Sequence, residues 1–343
     1  MQQAIAIIQT AFLGDIALGM LFADQVGRIF PDRTLVFICR PDGEALARSN
    51  PAITQTIVFD KRGRDRGISG IMRLSHQLHE HATEIVFGLQ RSIRTSLVAY
   101  FSRAPIRVGF TQATGSMLYT HRIEYPSEIH EIERNAALLT ALGIEPPPVR
   151  IPLPLQLTSA QRQQVDSALE RIRAHRSGPI VAVAPGAVWA TKRWLPERFA
   201  SVAAHLWAEG FGVAVIGGKA DVSLCNEVAT RAGVPDLAGM LDPAATVEFL
   251  RSCALLIAND SAPTHLATLA GCPTLTIFGS TIPAFGFAPR APGSQVVEPP
   301  PLPCRPCGSH GRRRCPRGTL ACMHSITTAD VLERASIILR CVQ

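Results

Sequence analysis

Asp260 and His265 stand five positions apart in 255–281, LLIANDSAPTHLATLAGCPTLTIFGST, the stretch of this chain best suited to chemistry. Asn259-Asp260-Ser261 reads as a polar turn after a short apolar strand. Pro263 fits the first turn of a helix over 262–270, where its missing N–H is no loss. Gly271 reads as that helix's stop, and 274–278 as a second buried strand. The amides of Ser261, Ala262 and the residues up to Thr264 would point out of the helix start. About half a positive charge collects there, which suits a diphosphate. Asp260 is ill-matched to an anion, so it reads as a helix cap or as an acceptor for ribose hydroxyls. An ordinary Asx or Ser cap would account for the same residues.

Four further places carry reactive groups. Asp15, after Gly14 at the end of the first strand, reads equally as a helix cap or as a general base taking a proton from an attacking hydroxyl. In 185–194, PGAVWATKRW, a glycine turn, the Thr191 hydroxyl and the Lys192-Arg193 pair suit a diphosphate, with Trp194 as a buried staple. Lys192 would neutralise charge growing on a leaving nucleoside diphosphate. Asp221, after Gly217-Gly218, is a weaker ribose candidate, and Met240 reads first as packing. Arg91 and Arg94 at the end of the fourth strand suit an anionic ligand or an ordinary solvated face. Cys304, Cys307, Cys315 and Cys322 include one C-x2-C pair, but the other spacing is unusual for zinc, so reduced thiols in a compact loop are the first reading and a structural zinc the second. G-x-G-x-x-G is missing after the first strand, as is a G-K-[ST] loop, which argues against a nicotinamide dehydrogenase and an NTPase.

These residues need rigid elements behind them, and the pattern supplies them. Apolar strand runs at 4–8, 35–39, 57–59, 84–89 and 107–110 alternate with helical runs at 16–30, 44–50, 71–81, 92–102 and 131–142. The theme returns with strands at 180–184 and 213–216 and helices at 199–209, 223–232 and 246–253. Such alternation argues for parallel sheets covered on both faces. Between the halves, 145–157 holds five prolines and reads as a stiff linker. With 343 residues, the chain has room for two domains. Apolar residues are 47 % and charged ones 18 %, a soluble globular composition. The net charge of +7 favours anionic partners, while 6 % aromatics offer few stacking platforms for single-stranded nucleic acid. The opening residues resemble no secretory signal, and no run is long and apolar enough to span a bilayer, so a cytoplasmic protein with reduced cysteines is expected.

Asn259-Asp260-Ser261-Ala262-Pro263-x-His265 resembles the nucleotide-sugar motif of glycosyltransferase family 9, the ADP-heptose:lipopolysaccharide heptosyltransferases. Leu13-Gly14-Asp15 resembles the family's turn carrying the base. Pro185-Gly186-Ala187 with Lys192-Arg193-Trp194 resembles its phosphate loop, with Leu195 inserted before Pro196. Ala238-Gly239-Met240-Leu241 resembles the loop near base and ribose. Ala262 stands where many members have Gly, so its backbone must be helical. The cysteine segment resembles a loop in a subset of heptosyltransferase II-like members.

The resemblance implies a GT-B fold, two Rossmann-like doubly wound domains facing a cleft, over 1–150 (acceptor) and 151–327 (nucleotide sugar). A helix over 328–343 would pack back on the first domain. It implies an inverting glycosyltransferase moving heptose from ADP-heptose to the lipopolysaccharide inner core. Asp15 and Lys192 would be catalytic. Thr191, Arg193, Asp221, Met240, Asp260, Ser261, Ala262, Pro263 and His265 would bind the donor, and Arg91 and Arg94 the acceptor. No cofactor or metal is expected. The partners would be a nucleotide sugar, an anionic lipid-linked saccharide and, peripherally, the cytoplasmic face of the inner membrane, with no nucleic acid. The alternatives are another nucleotide sugar and acceptor on the same fold, or a non-catalytic nucleotide-binding protein.

Overall fold

The structure, a computed structural model, describes residues 3–340. It divides into two compact units between Gln156 and Leu157, at the end of the proline-rich stretch.

In the first unit the chain runs β1 (Ala4–Ile8), α1 (Leu13–Ile29), β2 (Thr34–Cys39), α2 (Glu44–Ser49), β3 (Gln55–Val58), α3 (Gly67–Glu80), β4 (Thr83–Gly88), α4 (Ile93–Phe101), β5 (Ile106–Phe110), β6 (His121–Ile123) and α5 (Glu131–Ala137). The sheet is parallel throughout, in the order β3-β2-β1-β4-β5-β6. All five residues of β1 are buried, as a strand covered by helices on both faces must be. The order reverses between β1 and β4, and α/β sheets bind ligands beyond the strand ends at such a switch point. β6 is a three-residue strand with exposed and half-buried positions, so no apolar run announced it. The predicted helix over 131–142 is α5 followed by a tight 3-10 turn, Leu138–Leu142.

The second unit runs α6 (Ser159–Arg173), β7 (Ile180–Ala184), α7 (Pro196–Ala208), β8 (Gly212–Val215), α8 (Val222–Ala232), α9 (Pro243–Arg251), β9 (Cys253–Asn259), α10 (Ala262–Ala270), β10 (Thr274–Ile277), β11 (Gln295–Val297), α11 (Ala321–His324) and α12 (Thr328–Arg340). Its sheet is also all parallel, in the order β11-β10-β9-β7-β8, and its switch point lies between β7 and β9. α10 spans the predicted 262–270, and Gly271 closes it at φ +72°. α7 starts at Pro196, so the extra Leu195 sits just outside the helix. α6 lacked a strong apolar stripe; its start is set by a Thr158/Gln161 capping box.

The last helix joins the core of the second unit, where Val331, Ala335, Ile338 and Leu339 lie beside Trp194, Phe199 and Leu275. α12 contacts α7, β9, β10 and β11. Its apolar face is thus buried within the second unit. The predicted end of that helix, 341–343, lies outside the described residues.

Candidate functional site

At the switch point of the first sheet, the turn after β1 is held from two sides. Gln90, just past β4, accepts from the amide and hydroxyl of Thr10 through Oε1 (2.9 and 2.7 Å). Lys61 Nζ donates to the Thr10 carbonyl at 2.6 Å. α1 begins at Leu13, earlier than its apolar period suggested, so Asp15 lies inside the first helical turn instead of ahead of it. There its Oδ2 accepts from the Phe12 amide at 3.1 Å. Asp15 is thus not the N-cap, which is Phe12; it accepts from that residue's amide from the third helical position, and the bond orients its half-buried carboxylate.

Lys61 lies within electrostatic reach of that carboxylate and of three arginines. Burial lowers the Lys61 pKa, the charges of Arg40, Arg94 and Arg62 lower it further, and Asp15 opposes them. The Arg91 guanidinium stacks over the Tyr125 ring, 4.1 Å from its centroid, and Arg134 lies 4.9 Å from the same ring. Arg134 is buried and reaches the Tyr125 hydroxyl (3.0 Å), Glu131 Oε2 (3.2 Å) and the Pro126 carbonyl (2.9 Å). Glu131, 6 % exposed, is pushed up to about 7 by burial first and then by the charge of Asp15, against the pull of Arg134. Below about pH 7 this carboxyl is mainly protonated, within electrostatic reach of Asp15. Sequence reading missed Lys61, Gln90, Tyr125, Glu131 and Arg134. A glutamate opening a helix reads as surface charge, and only packing buries it.

At the second switch point, Asn259 ends β9 and bridges to the loop after β7. It accepts from the Trp194 amide (2.9 Å) and donates to the Pro185 carbonyl (2.8 Å). Asp260 Oδ2 takes Lys192 Nζ at 2.6 Å and the Thr281 hydroxyl at 2.6 Å. The helix-cap reading of Asp260 is thereby corrected: its carboxylate holds Lys192. This answers why an acid stands at an anion site. The pair is largely buried, with side chains 15 and 6 % exposed.

Ser261 precedes α10, but its hydroxyl donates to the Gly186 and Asn259 carbonyls (3.1 and 3.3 Å). Among the described residues no side chain caps this helix start. The Thr264 amide donates to the Ser261 carbonyl (3.1 Å) and Pro263 has no N–H, so the amides of Ser261 and Ala262 are the donors this end offers an anion. Ala262 is the first residue of α10, so the methyl group sits on helical backbone, with Pro263 second. His265 is buried and meets Phe287 edge to face, centroids 6.0 Å apart.

Asp221 abuts the same loop. A Cβ at Gly186 would lie 2.5 Å from its carboxyl carbon, so this glycine permits the approach. Arg193 Nε holds the Ala187 carbonyl at 2.7 Å. Met240 meets Arg171 instead of a polar loop, with Nη1 2.8 Å from its sulfur.

Thr191 stands against the cysteine-bearing segment. Its hydroxyl accepts from the Arg312 amide (2.8 Å) and donates to the Arg312 carbonyl (3.1 Å), which its own amide also reaches (3.1 Å). The hydroxyl is thus a clasp for the cysteine-bearing segment. Gly311, at φ +80°, allows the approach: a Cβ there would come within 3.1 Å of Lys192 Cγ and 3.2 Å of Thr191 Oγ1. Cys307 N–H adds a bond to the Ser280 carbonyl at 2.8 Å. Cys304, Cys307 and Cys315 are half-buried and Cys322 is buried. Among the described residues no three His, Cys, Asp or Glu side chains are grouped to hold a metal.

Residues 71–314 match the family described as Glycosyltransferase family 9 (heptosyltransferase). Lipopolysaccharide heptosyltransferase 2 of Salmonella typhimurium is 23 % identical over 299 residues, covering 82 % of this chain and 84 % of that one. The structure of E. coli ADP-heptose lps heptosyltransferase II is 21 % identical with a TM-score of 0.78, covering 99 % of both chains. A family 9 glycosyl transferase from Veillonella parvula is 22 % identical with a TM-score of 0.84, covering 98 % of this chain and 97 % of that one. The fold of the chain is theirs, of the GT-B class, with two doubly wound α/β domains.

Proposed function

The chain belongs to glycosyltransferase family 9, and from that premise we propose that it moves heptose from ADP-heptose to the lipopolysaccharide inner core with inversion. It is a glycosyltransferase. The observation that carries the reading of its donor site is the Lys192–Asp260 pair beside the uncapped start of α10. In this reading the ADP diphosphate lies against the α10 amides, with Lys192 beside it. As the bond from the anomeric carbon to the diphosphate oxygen breaks, negative charge grows on that oxygen. Lys192 and the helix start stabilise it in place, so no metal is called for. Asp260 aims the ammonium before the donor arrives. Ser261, Ala262, Pro263 and His265 shape this end of the pocket, Arg193 fixes the loop before it, and Asp221 faces the ribose.

Asp15 removes the acceptor proton as the hydroxyl attacks from the opposite side of the sugar. Lys61, Arg40, Arg91 and Arg94 draw in the anionic acceptor. Glu131, protonated below about pH 7, keeps a second negative charge away from Asp15. Among the described residues no helix is long and apolar enough to cross a membrane. A peripheral seat on the cytoplasmic face of the inner membrane follows in this proposal from the lipid-linked acceptor.

The test is ADP release from ADP-heptose with a Kdo-containing lipid A acceptor, for wild type and Asp15→Ala, with and without chelator. Acceptor-dependent release that survives chelator and collapses in the variant supports donor, base and metal-free transfer together. Release that needs the acceptor but is unchanged in Asp15→Ala removes the base. No turnover by folded wild type removes this donor and acceptor, and a panel of other nucleotide sugars follows.

A further inference from the structure

Of the seven exposed large hydrophobic side chains of the first unit, four belong to the starts of α3 and α4 and the loop after β5: Met117 (83 % exposed), Ile68 (77 %), Met72 (45 %) and Ile93 (45 %). Topology gathers them. The strands are parallel, so α3, which leads into β4, and α4, which leaves it, both begin at the carboxyl edge of the sheet, the edge that carries Asp15. Ile68 and Met72 are one helical turn apart on α3, on the exposed flank beside the buried Ile71, Leu74 and Leu78. Ile93 opens α4. The loop bearing Met117 is tied to that start: Thr114 N–H reaches the Arg91 carbonyl (3.1 Å), and Ser96 donates to the Thr114 carbonyl (2.9 Å).

The same segments are strongly basic. Together 61–79, 90–103 and 111–123 hold nine Lys and Arg against one acid, in a chain of net +7. That acid, Asp65, is buried and internal. It accepts from the Asp60 amide at 2.7 Å and pairs with Arg73 and Arg64. The loop is thereby pinned from below, while Arg62, Arg66 and Arg91 stay exposed around the apolar side chains.

Resting on the lipid-linked acceptor reading above, we propose that this rim of the first unit docks on an anionic lipid bilayer, with Ile68, Met72, Ile93 and Met117 entering the headgroup–acyl boundary. Isolated apolar side chains within a cationic ring match that boundary, where methylenes enter and guanidiniums meet phosphates. A protein partner would want a contiguous, self-covered apolar patch, and nucleic acid would not use the methionine and isoleucine tips. The docking edge is also the edge of Asp15, so a lipid-linked acceptor is met where the proton is taken.

The experiment is vesicle flotation of the full chain, with phosphatidylethanolamine/phosphatidylglycerol vesicles against phosphatidylcholine, at low and high salt. The proteins are wild type, Ile68→Ser/Met72→Ser/Met117→Ser, and Met117→Trp as an insertion probe. The expected result is salt-sensitive binding to the anionic vesicles, at least 10-fold weaker in the triple variant, with a blue shift in Met117→Trp emission on binding. Turnover of a deacylated, water-soluble acceptor stays at the wild-type level in the triple variant. Equal binding to neutral vesicles, unchanged binding by the triple variant, or wild-type self-association without vesicle binding each overturns the proposal. Vesicle binding is read without turnover, so a wrong donor or acceptor does not alter its outcome.

Discussion

The two switch points share a topology and differ in how their charges are finished. Beyond β1 and β4, one oriented carboxylate stands among several cations, and Arg91 is held by an aromatic face. Beyond β7 and β9, one lysine and one aspartate are locked together in a largely buried network of short hydrogen bonds. The first is redundant in cations and open to solvent; the second has one ammonium and few alternatives. Redundancy suits a branched, multiply charged ligand. A single aimed charge suits one developing charge at a known atom.

Breaking the comparison starts with the groups that have no substitute. Asp15→Ala lowers kcat by about 10²–10⁴-fold with ADP affinity preserved, the range of a lost general base. Steady-state kinetics beside calorimetric ADP titration checks it. Lys192→Ala lowers kcat by roughly 10²–10³-fold, as removal of a preorganised charge does. In Asp260→Ala the lysine is left unpaired, which costs about 3 kcal/mol of stability in thermal or urea unfolding.

The buried glutamate next to Asp15 gives a pH signature. Its folded-state pKa is raised from 4.5 to about 7, so the folded protein holds a proton that the unfolded chain releases. The stabilisation is complete below about pH 4.5 and is lost as pH rises through about 7. Glu131→Gln removes this slope, up to about 3 kcal/mol across that window, in urea midpoints measured from pH 4.5 to 8. A slope that persists in the variant would show that Glu131 is not its source.

Smaller effects sharpen the contrast. Thr191→Val deletes two hydrogen bonds to Arg312, which at about 1 kcal/mol each opens the clasp roughly 30-fold more often, weakening ADP binding and speeding tryptic cleavage at 312–314, while Thr191→Ser restores both. Cleavage and affinity that ignore this substitution would make the clasp irrelevant to the donor. Arg91→Ala, one exposed cation among several, raises the acceptor KM only a few-fold. A loss as large as that of Lys192→Ala would erase the distinction between the two rims.

Much of this was legible in the chain's local patterns. α10 could be drawn from Pro263 and Gly271 because proline and glycine act through their own backbones. The buried strands announced themselves as continuous apolar runs. β6, β11 and α6 did not, since short edge strands and a polar helix carry little apolar period. For Thr191 and Asp260 the local sequence carried no sign of their partners within the protein. Their bonds to Arg312 and Lys192 join positions more than sixty residues apart, and no local pattern encodes those.

The sequence by itself determined the alternating α/β plan, the family, the turns that carry Asp15, Lys192 and Asp260, and the basic balance of the chain. These follow from near-neighbour spacing, which sets backbone conformation and which face of an element is apolar. Only the tertiary structure decided that Asp260 holds Lys192, that Thr191 clasps the cysteine-bearing segment, that Glu131 is buried next to Asp15, and that α12 completes the second core. Each of those depends on which distant groups share a desolvated space, where an unpaired charge or hydroxyl is costly enough to select its partner.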